Sequence, residues 1–210
     1  MDSHRTYSTD VGFTPSVKAV QTRKGSRHAY ERVEANGGWQ TRITPDLAGF
    51  VAAQTSVLLG TASRDGQPYI QHRGGPAGFL KVLDDTTIAF ADFAGNRQYI
   101  TTGNLAENAK AYLFLIDYAH RRRIKIWGTA RVVEDDPELM ERLMPQGYRA
   151  RGEQAILFSV AAWDANCPQH IPQRFEAADV AAALAERDGR IAALEAEIAA
   201  LREKTSSQGK

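Results

Sequence analysis

Residues 90–105 read Phe-Ala-Asp-Phe-Ala-Gly-Asn-Arg-Gln-Tyr-Ile-Thr-Thr-Gly-Asn-Leu, an apolar run that stops at small residues and passes into a polar, helix-compatible segment. A strand over 86–91 ends at Ala91-Asp92, Gly95 permits a sharp change of direction, and Asn96 stands where it can cap the following helix. The first backbone N–H groups of a helix have no intrahelical acceptor, and Arg97 sets a permanent cation with a planar fork of donors beside them. Together they suit a phosphate or a similar anion. An ordinary strand–turn–helix junction with a solvated arginine has the same local pattern.

Three further groups carry chemistry. Gln71-His72-Arg73-Gly74-Gly75-Pro76 puts three hydrogen-bonding side chains beside a glycine pair that lets a planar ligand approach the backbone; the plainer reading is a polar strand edge. Lys125 and Trp127 share one face of an alternating strand, where one offers a cation and the other a ring surface, or else an exposed lysine and a half-buried core tryptophan. The stretch 163–174, Trp-Asp-Ala-Asn-Cys-Pro-Gln-His-Ile-Pro-Gln-Arg, is too rich in special side chains for a plain spacer. Cys167 has no resolving cysteine and reads as an inert thiol, although Cys-Pro with a nearby histidine also permits haem ligation.

The elements that must position these groups are mostly strands. Thr44-Pro45-Asp46 starts a helix with Leu47, Phe50 and Val51 on one face, suited to covering a barrel end. Residues 56–63 and 68–73 form a hairpin about Asp65-Gly66; after the interruption at 74–78 the second strand resumes over 79–83, and 86–91 follows the Asp84-Asp85 turn. Residues 109–116 are apolar on both faces and are expected at the barrel's centre. Residues 123–133 alternate, with Ile124, Ile126, Gly128, Ala130 and Val132 on one face. A short helix opens at Asp136-Pro137, and 155–163 is the last strand. Six strands at short spacing, with no β-α-β rhythm, predict a mainly β (α+β) fold: a six-stranded antiparallel split β-barrel with flanking helices and a long C-terminal helix.

Outside the barrel domain, expected over 44–175, residues 1–43 read as a lead-in with short helices broken near Gly25-Ser26. In 176–204, Val180, Leu184, Arg187, Ile191, Leu194, Ile198 and Leu201 recur at spacings of four and three, a coiled-coil seam that either zips two chains or docks on its own barrel. Residues 205–210 are expected to fray as a disordered tail.

Composition narrows the function. Twenty-six Lys and Arg against 25 Asp and Glu give a formal charge of +1, which offers no general case for nucleic acid or membrane binding, and Arg121-Arg122-Arg123 reads as a solvated turn. One cysteine excludes an internal disulfide framework and paired-cysteine zinc motifs. With no apolar signal core at the start and no bilayer-length apolar run, the expectation is a cytoplasmic protein. No G-x-G-x-x-G, Walker loop, H-E-x-x-H or Ser-His-Asp set stands out.

The order strand, short turn, Asn96-Arg97-Gln98, short helix, very apolar strand resembles the flavin-phosphate segment of the pyridoxamine 5′-phosphate oxidase-like family, the FMN-binding split β-barrels, from about Leu47 to Trp163. The resemblance implies that Asn96, Arg97 and Gln98 hold the FMN phosphate where the family carries a Ser-Arg-Lys-like triplet, with Ala91, Asp92 and Gly95 shaping the turn. Gln98 replaces a cation, so Lys81 or Lys125 would supply countercharge. His72, Arg73 and the Gly74 amide would border the isoalloxazine, with Trp127 covering a ring or closing a dimer seam. Gln169, His170 and Arg174 fall where relatives send a C-terminal segment to the partner's flavin. The implied protein is a homodimer with FMN near the subunit interface and a small-molecule substrate. Its implied function is a flavoprotein oxidoreductase passing electrons between a donor such as NAD(P)H and a small acceptor. The alternatives are a non-catalytic flavin- or haem-binding stress or sensor protein and a deazaflavin-dependent reductase. Pyridoxamine-phosphate oxidation itself is not implied, since the family's C-terminal arginine-bearing signature is not recognisable.

Overall fold

The structure is a computed structural model that describes residues 6–166 and 168–208. Cys167, on which the inert-thiol and haem-ligand expectations fall, and residues 209–210 lie outside the described residues, whereas 205–208, expected to fray, continue the C-terminal helix to Gln208. Two compact units form: Met1–Asp117 with Arg122–Gln169, and Tyr118–Arg121 with His170–Lys210.

The first unit opens with a 3-10 turn, Ser8–Val11, and helices α1 (Pro15–Lys24) and α2 (Arg27–Ala35). Thr14 caps α1 with its side-chain oxygen, Pro15 occupies the first turn, and Gly25 ends it at φ 80°, a left-handed conformation that costs glycine little. Neither helix has enough apolar surface for a core of its own, and charge networks fasten them. Lys18 Nζ lies 2.6 Å from Asp10 and 3.4 Å from the buried Glu34, and Glu34 also pairs with Arg27 and accepts from Thr9 Oγ1 at 3.2 Å. An aromatic relay ties this lead-in to the sheet: Phe13 meets Tyr30 at 5.0 Å and Trp39 at 4.8 Å, and Trp39 stacks on Trp127 at 4.4 Å.

Helix α3 (Pro45–Ala53) follows its Thr44 cap and buries Leu47, Phe50 and Val51 in the core. Seven antiparallel strands then form one sheet: β1 (Ser56–Ala62), β2 (Pro68–Gly74), β3 (Lys81–Asp84), β4 (Thr87–Phe93), β5 (Lys110–Asp117), β6 (Arg122–Val133) and β7 (Gly152–Asn166). Helices α4 (Ile100–Glu107) and α5 (Pro137–Leu143) connect them, and α6 (Ala177–Gln208) lies in the second unit. The order is β2-β1-β5-β6-β7-β4-β3, and the main core packs Leu59, Leu113, Leu115, Ile124, Ile126, Ile156 and Phe158 with Phe79 and Phe90. This is the antiparallel split barrel with flanking helices and a long C-terminal helix.

Two details differ from the sequence-based expectation. Residues 68–73 and 79–83 are not one interrupted strand: β2 and β3 are separate, at opposite ends of the sheet, so the strands number seven rather than six. The break at 74–78 is a crossing. Gly75 there lies so close to Phe79 that an added Cβ would sit 2.7 Å from its Cβ. The central strand is β6 rather than β5, which stands third in the order and buries Ala111, Leu113 and Leu115 while leaving Tyr112, Phe114 and Ile116 only half covered. Among the described residues, no helix is long and apolar enough to cross a membrane, and no group of three or more metal-ligating side chains is found.

Candidate functional site

The strand order ends at β2 on one side and β3 on the other, and a cavity of about 210 Å³ lies where β2 comes beside β4. Its walls follow from strand alternation. Tyr69, Gln71 and Arg73 line it from one face of β2, Asp92 and Phe93 from the end of β4, and Glu153 and Gln154 from the start of β7. The turn from Gly95 to Tyr99 and the first residues of α4, Ile100 to Thr102, complete it.

At its floor, Arg73 Nη1 lies 2.9 Å from Asp92 Oδ1, with both side chains largely buried. Gln154 Nε2 donates to Asp92 Oδ2 and to Thr102 Oγ1, each at 2.9 Å, so the carboxylate is held on two sides. Arg73 Nε is buried and has no hydrogen-bond partner among the described residues. Burying such a donor without an acceptor is unfavourable, and the site would be completed by one.

At the rim, Arg97 Nε donates to Tyr99 Oη at 3.2 Å, and Tyr99 Oη donates to Glu153 Oε1 at 2.6 Å. The hydrogen bond to Tyr99, helped by the charge of Glu153, raises the Arg97 guanidinium above its ordinary pKa. Only Nε of its fork is engaged among the described residues, leaving the Nη donors for an anion. Arg97 and Tyr99 both adopt left-handed backbone, φ 59° and 52°, a conformation that costs a side-chain-bearing residue about 1–2 kcal/mol. Tyr99 is the N-cap of α4, and its side chain makes no cap hydrogen bond, so the first N–H groups of the helix have no side-chain acceptor there. The helix is held from behind by Asn104 Nδ2 donating to Thr61 Oγ1 at 3.1 Å and by buried Thr101 and Leu105.

The structure brings Arg73, Asp92, Gly95, Asn96, Arg97 and Gln98 to this cavity. Two expected local roles change. Asn96 does not cap the helix: its Oδ1 accepts from Gln98 N at 3.3 Å, stabilising the turn, and the cap position falls on Tyr99. The sharp bend is made by Arg97 and Tyr99, whereas Gly95 has no positive φ. Strand alternation turns exposed His72 to the opposite face from Gln71 and Arg73, with its ring 2.9 Å from where a Gly74 Cβ would stand. Ala91 packs in a small cluster with Ala89, Leu143 and Ala155. Lys81 lies on β3, paired opposite Ala89, outside the cavity lining. Lys125 Nζ is 3.0 Å from Asp164 and sits over the rings of Trp127 and Trp39, at 5.2 and 5.7 Å. Neither lysine therefore supplies countercharge within this chain's cavity, because β3 and β6 carry them elsewhere.

In the segment after β7, Gln169 is exposed in a turn and His170 has left-handed backbone, φ 62°. Arg174 lies over the Tyr118 ring at 4.7 Å, and its backbone N–H donates to Tyr118 O at 3.4 Å. The lining residues that sequence reasoning missed include Tyr69, Tyr99, Thr102, Glu153 and Gln154. A period of two counted back from Arg73 reaches Gln71 and Tyr69. Glu153 and Gln154 have no local signal, since they reach the site only through the β4–β7 pairing that sets Gln154 opposite Asp92.

Comparison with known proteins gives the chain its relatives. The family model for pyridoxamine 5′-phosphate oxidase matches residues 43–167. No curated protein matches the chain. Among solved structures, HupZ from Group A Streptococcus is 18% identical, covering 63% of this chain and 99% of its own, with a TM-score of 0.49. An FMN-binding protein from Syntrophomonas wolfei is 16% identical, covering 74% of this chain and 98% of its own, at 0.45. A Clostridium acetobutylicum protein related to general stress protein 26, of the pyridoxinephosphate oxidase family, is 17% identical, covering 63% and 92%, at 0.42. With more than half of its length matched by that model, the chain belongs to the pyridoxamine 5′-phosphate oxidase-like family.

Proposed function

We propose that this protein is an FMN-binding oxidoreductase that moves electrons between a reduced donor such as NAD(P)H and a small acceptor. The observation that carries the reading is the Arg97–Tyr99 turn: a charged guanidinium with free Nη donors stands beside the uncapped start of α4, at the mouth of a cavity holding a second arginine. Such a set suits a phosphate monoester, with Arg97 and the α4 amides on its oxygens. The orphaned Nε of Arg73 and the amide of Gln71 offer donors to polar atoms of a cofactor deeper in the cavity. When bound, the isoalloxazine supplies the electron chemistry, and the chain's part is to hold and orient it and to keep water out.

The cavity of one chain, about 210 Å³, is smaller than the roughly 300–1,000 Å³ of pockets that enclose a drug-sized ligand. A second copy completing the site accounts for this, in keeping with the homodimer implied by the family. Purified protein is denatured and the released small molecule identified by absorbance and mass. A flavin spectrum with the mass of FMN is expected, followed by bleaching of the yellow colour on anaerobic addition of NADH or NADPH. Release of haem or a deazaflavin would overturn the cofactor, and a flavin that no reduced nicotinamide bleaches would overturn nicotinamide as the donor.

A further inference from the structure

Helix α6 is 32 residues long, about 48 Å at 1.5 Å per residue. Its apolar side chains form one exposed stripe, with Val180, Leu184, Ile191, Leu194 and Ile198 between 39% and 53% exposed. The spacing fixes the heptad register. Leu184, Ile191 and Ile198 take the a positions, and Val180, Arg187, Leu194 and Leu201 the d positions.

We propose that α6 pairs with the α6 of a second copy of this chain as a parallel, in-register, two-stranded coiled coil. Core chemistry selects the number of strands: two successive heptads carry Ile at a and Leu at d, Ile191/Leu194 and Ile198/Leu201, the combination that favours dimers. Flanking charge selects the direction. The g positions are Ala183, Arg190 and Glu197, and the e positions of the next heptads are Asp188, Glu195 and Arg202. In a parallel pair Arg190 meets Glu195 of the other helix and Glu197 meets Arg202, so both charged contacts are attractive. Arg187, the one charged d residue, packs beside Asp188 of the other copy at e. A charged core residue weakens the pair but fixes its alignment, because any slipped register would bury it against an apolar layer.

A membrane surface fits less well. Between residues 177 and 204 the helix carries six acidic and four basic side chains, whereas an interfacial helix presents an excess of Lys and Arg. Gly189, at an outward f position, lowers the helix's own propensity and makes the partner's packing the main source of its order.

The test uses the full chain with Cys167→Ser, so that an introduced thiol is the only one. Leu194→Cys places a thiol on the seam, and Ala193→Cys places one a residue away on the outer face. Under mild oxidation at micromolar protein, Leu194→Cys is expected to convert largely to a covalent dimer, and Ala193→Cys to stay at least ten-fold less cross-linked. Barrel pairing alone would bring the two thiols together no better in one variant than in the other. Equal cross-linking in both variants, or none at position 194, overturns the proposal. In the thiol-free chain, Arg190→Glu should raise the dissociation constant of the paired helices, and adding Glu195→Arg should restore it; a double variant no better than the single overturns the parallel direction.

Discussion

Arg73 on β2 and Asp92 on β4 lie 2.9 Å apart although their strands are not hydrogen-bonded neighbours in the sheet. The contact joins by side chains what the backbone leaves open. It also shapes the candidate site, because Asp92 is shared with Gln154, and Gln154 reaches Thr102 at the start of α4. The pair is therefore a strut between the strand rim and the start of α4.

Removing one member leaves the other charged and buried. Breaking a fully buried pair costs about 3–5 kcal/mol, and because Arg73 keeps a fifth of its exposure we expect about 2 kcal/mol for Asp92→Ala. Arg73→Met with Asp92→Leu should lose much less than the sum of the single changes, since apolar replacements leave no stranded charge. Urea denaturation of the two single variants and the double variant provides the cycle; additive losses would show that the pair is not coupled.

Position 97 separates holding an anion from holding the fold. On the proposed function, Arg97→Ala should weaken FMN retention by about 10- to 100-fold, from the roughly 1.5–3 kcal/mol of a hydrogen bond to a charged group. Arg97→Gly should lose as much affinity yet raise the melting temperature of the flavin-free protein, because φ 59° is strained for arginine and easy for glycine. Equilibrium dialysis and thermal melts on the same samples read both effects.

Two glycines in the sheet should respond differently to an added methyl group. A Cβ at Gly128, where β6 shifts register against β7, would stand 2.0 Å from the backbone oxygen of Ser159 and 2.7 Å from the Phe158 ring. Gly128→Ala is thus expected to cost at least about 3 kcal/mol, the upper end for overpacking. At Gly152 the nearest atom, 2.2 Å away, is the end of the flexible Met140 side chain, so Gly152→Ala should cost about 1 kcal/mol. Denaturant midpoints of the two variants check the ranking.

The N-terminal network gives a pH signature. Lys18 hydrogen-bonds Asp10 and holds its carboxyl below the ordinary 3.8, while Asp10 raises the Lys18 ammonium above 10.5. The Asp10 contribution is present above its unfolded value and lost as pH falls through the lowered one. The Lys18 contribution is present below its unfolded value and lost as pH rises through the raised one. Asp10→Asn should therefore cost about 0.5 kcal/mol at pH 7, as for a mostly solvated pair, and less at pH 3, below the unfolded value. Urea unfolding at the two pH values tests this.

Periodicity made much of the fold legible. The Thr44 and Asp136 caps, the Asp65-Gly66 hairpin and the alternation of Ile124 and Ile126 depend on neighbours a few residues away, and all occur where the local chemistry requires. The division of β2 from β3 was not legible, because Gly74 to Gly78 looks alike whether a chain pauses within a strand or crosses to the far edge. At the site, Asn96-Arg97-Gln98 marks in sequence the turn that lines the cavity, but propensity points to glycine and asparagine for its geometry. Arg97 and Tyr99 took the strained angles instead, held by Glu153 from a strand more than fifty residues away. His72 has suitable chemistry, but the two-residue period of the strand turns it from Arg73.

The unbonded margin between β2 and β4 has a mechanical meaning. Prising apart two paired strands breaks a whole ladder of peptide contacts, but here the margin can gape by releasing one guanidinium–carboxylate clasp while β1, β5, β6 and β7 remain zipped. Asp92→Asn, by loosening that clasp, should speed the escape of whatever the cavity holds.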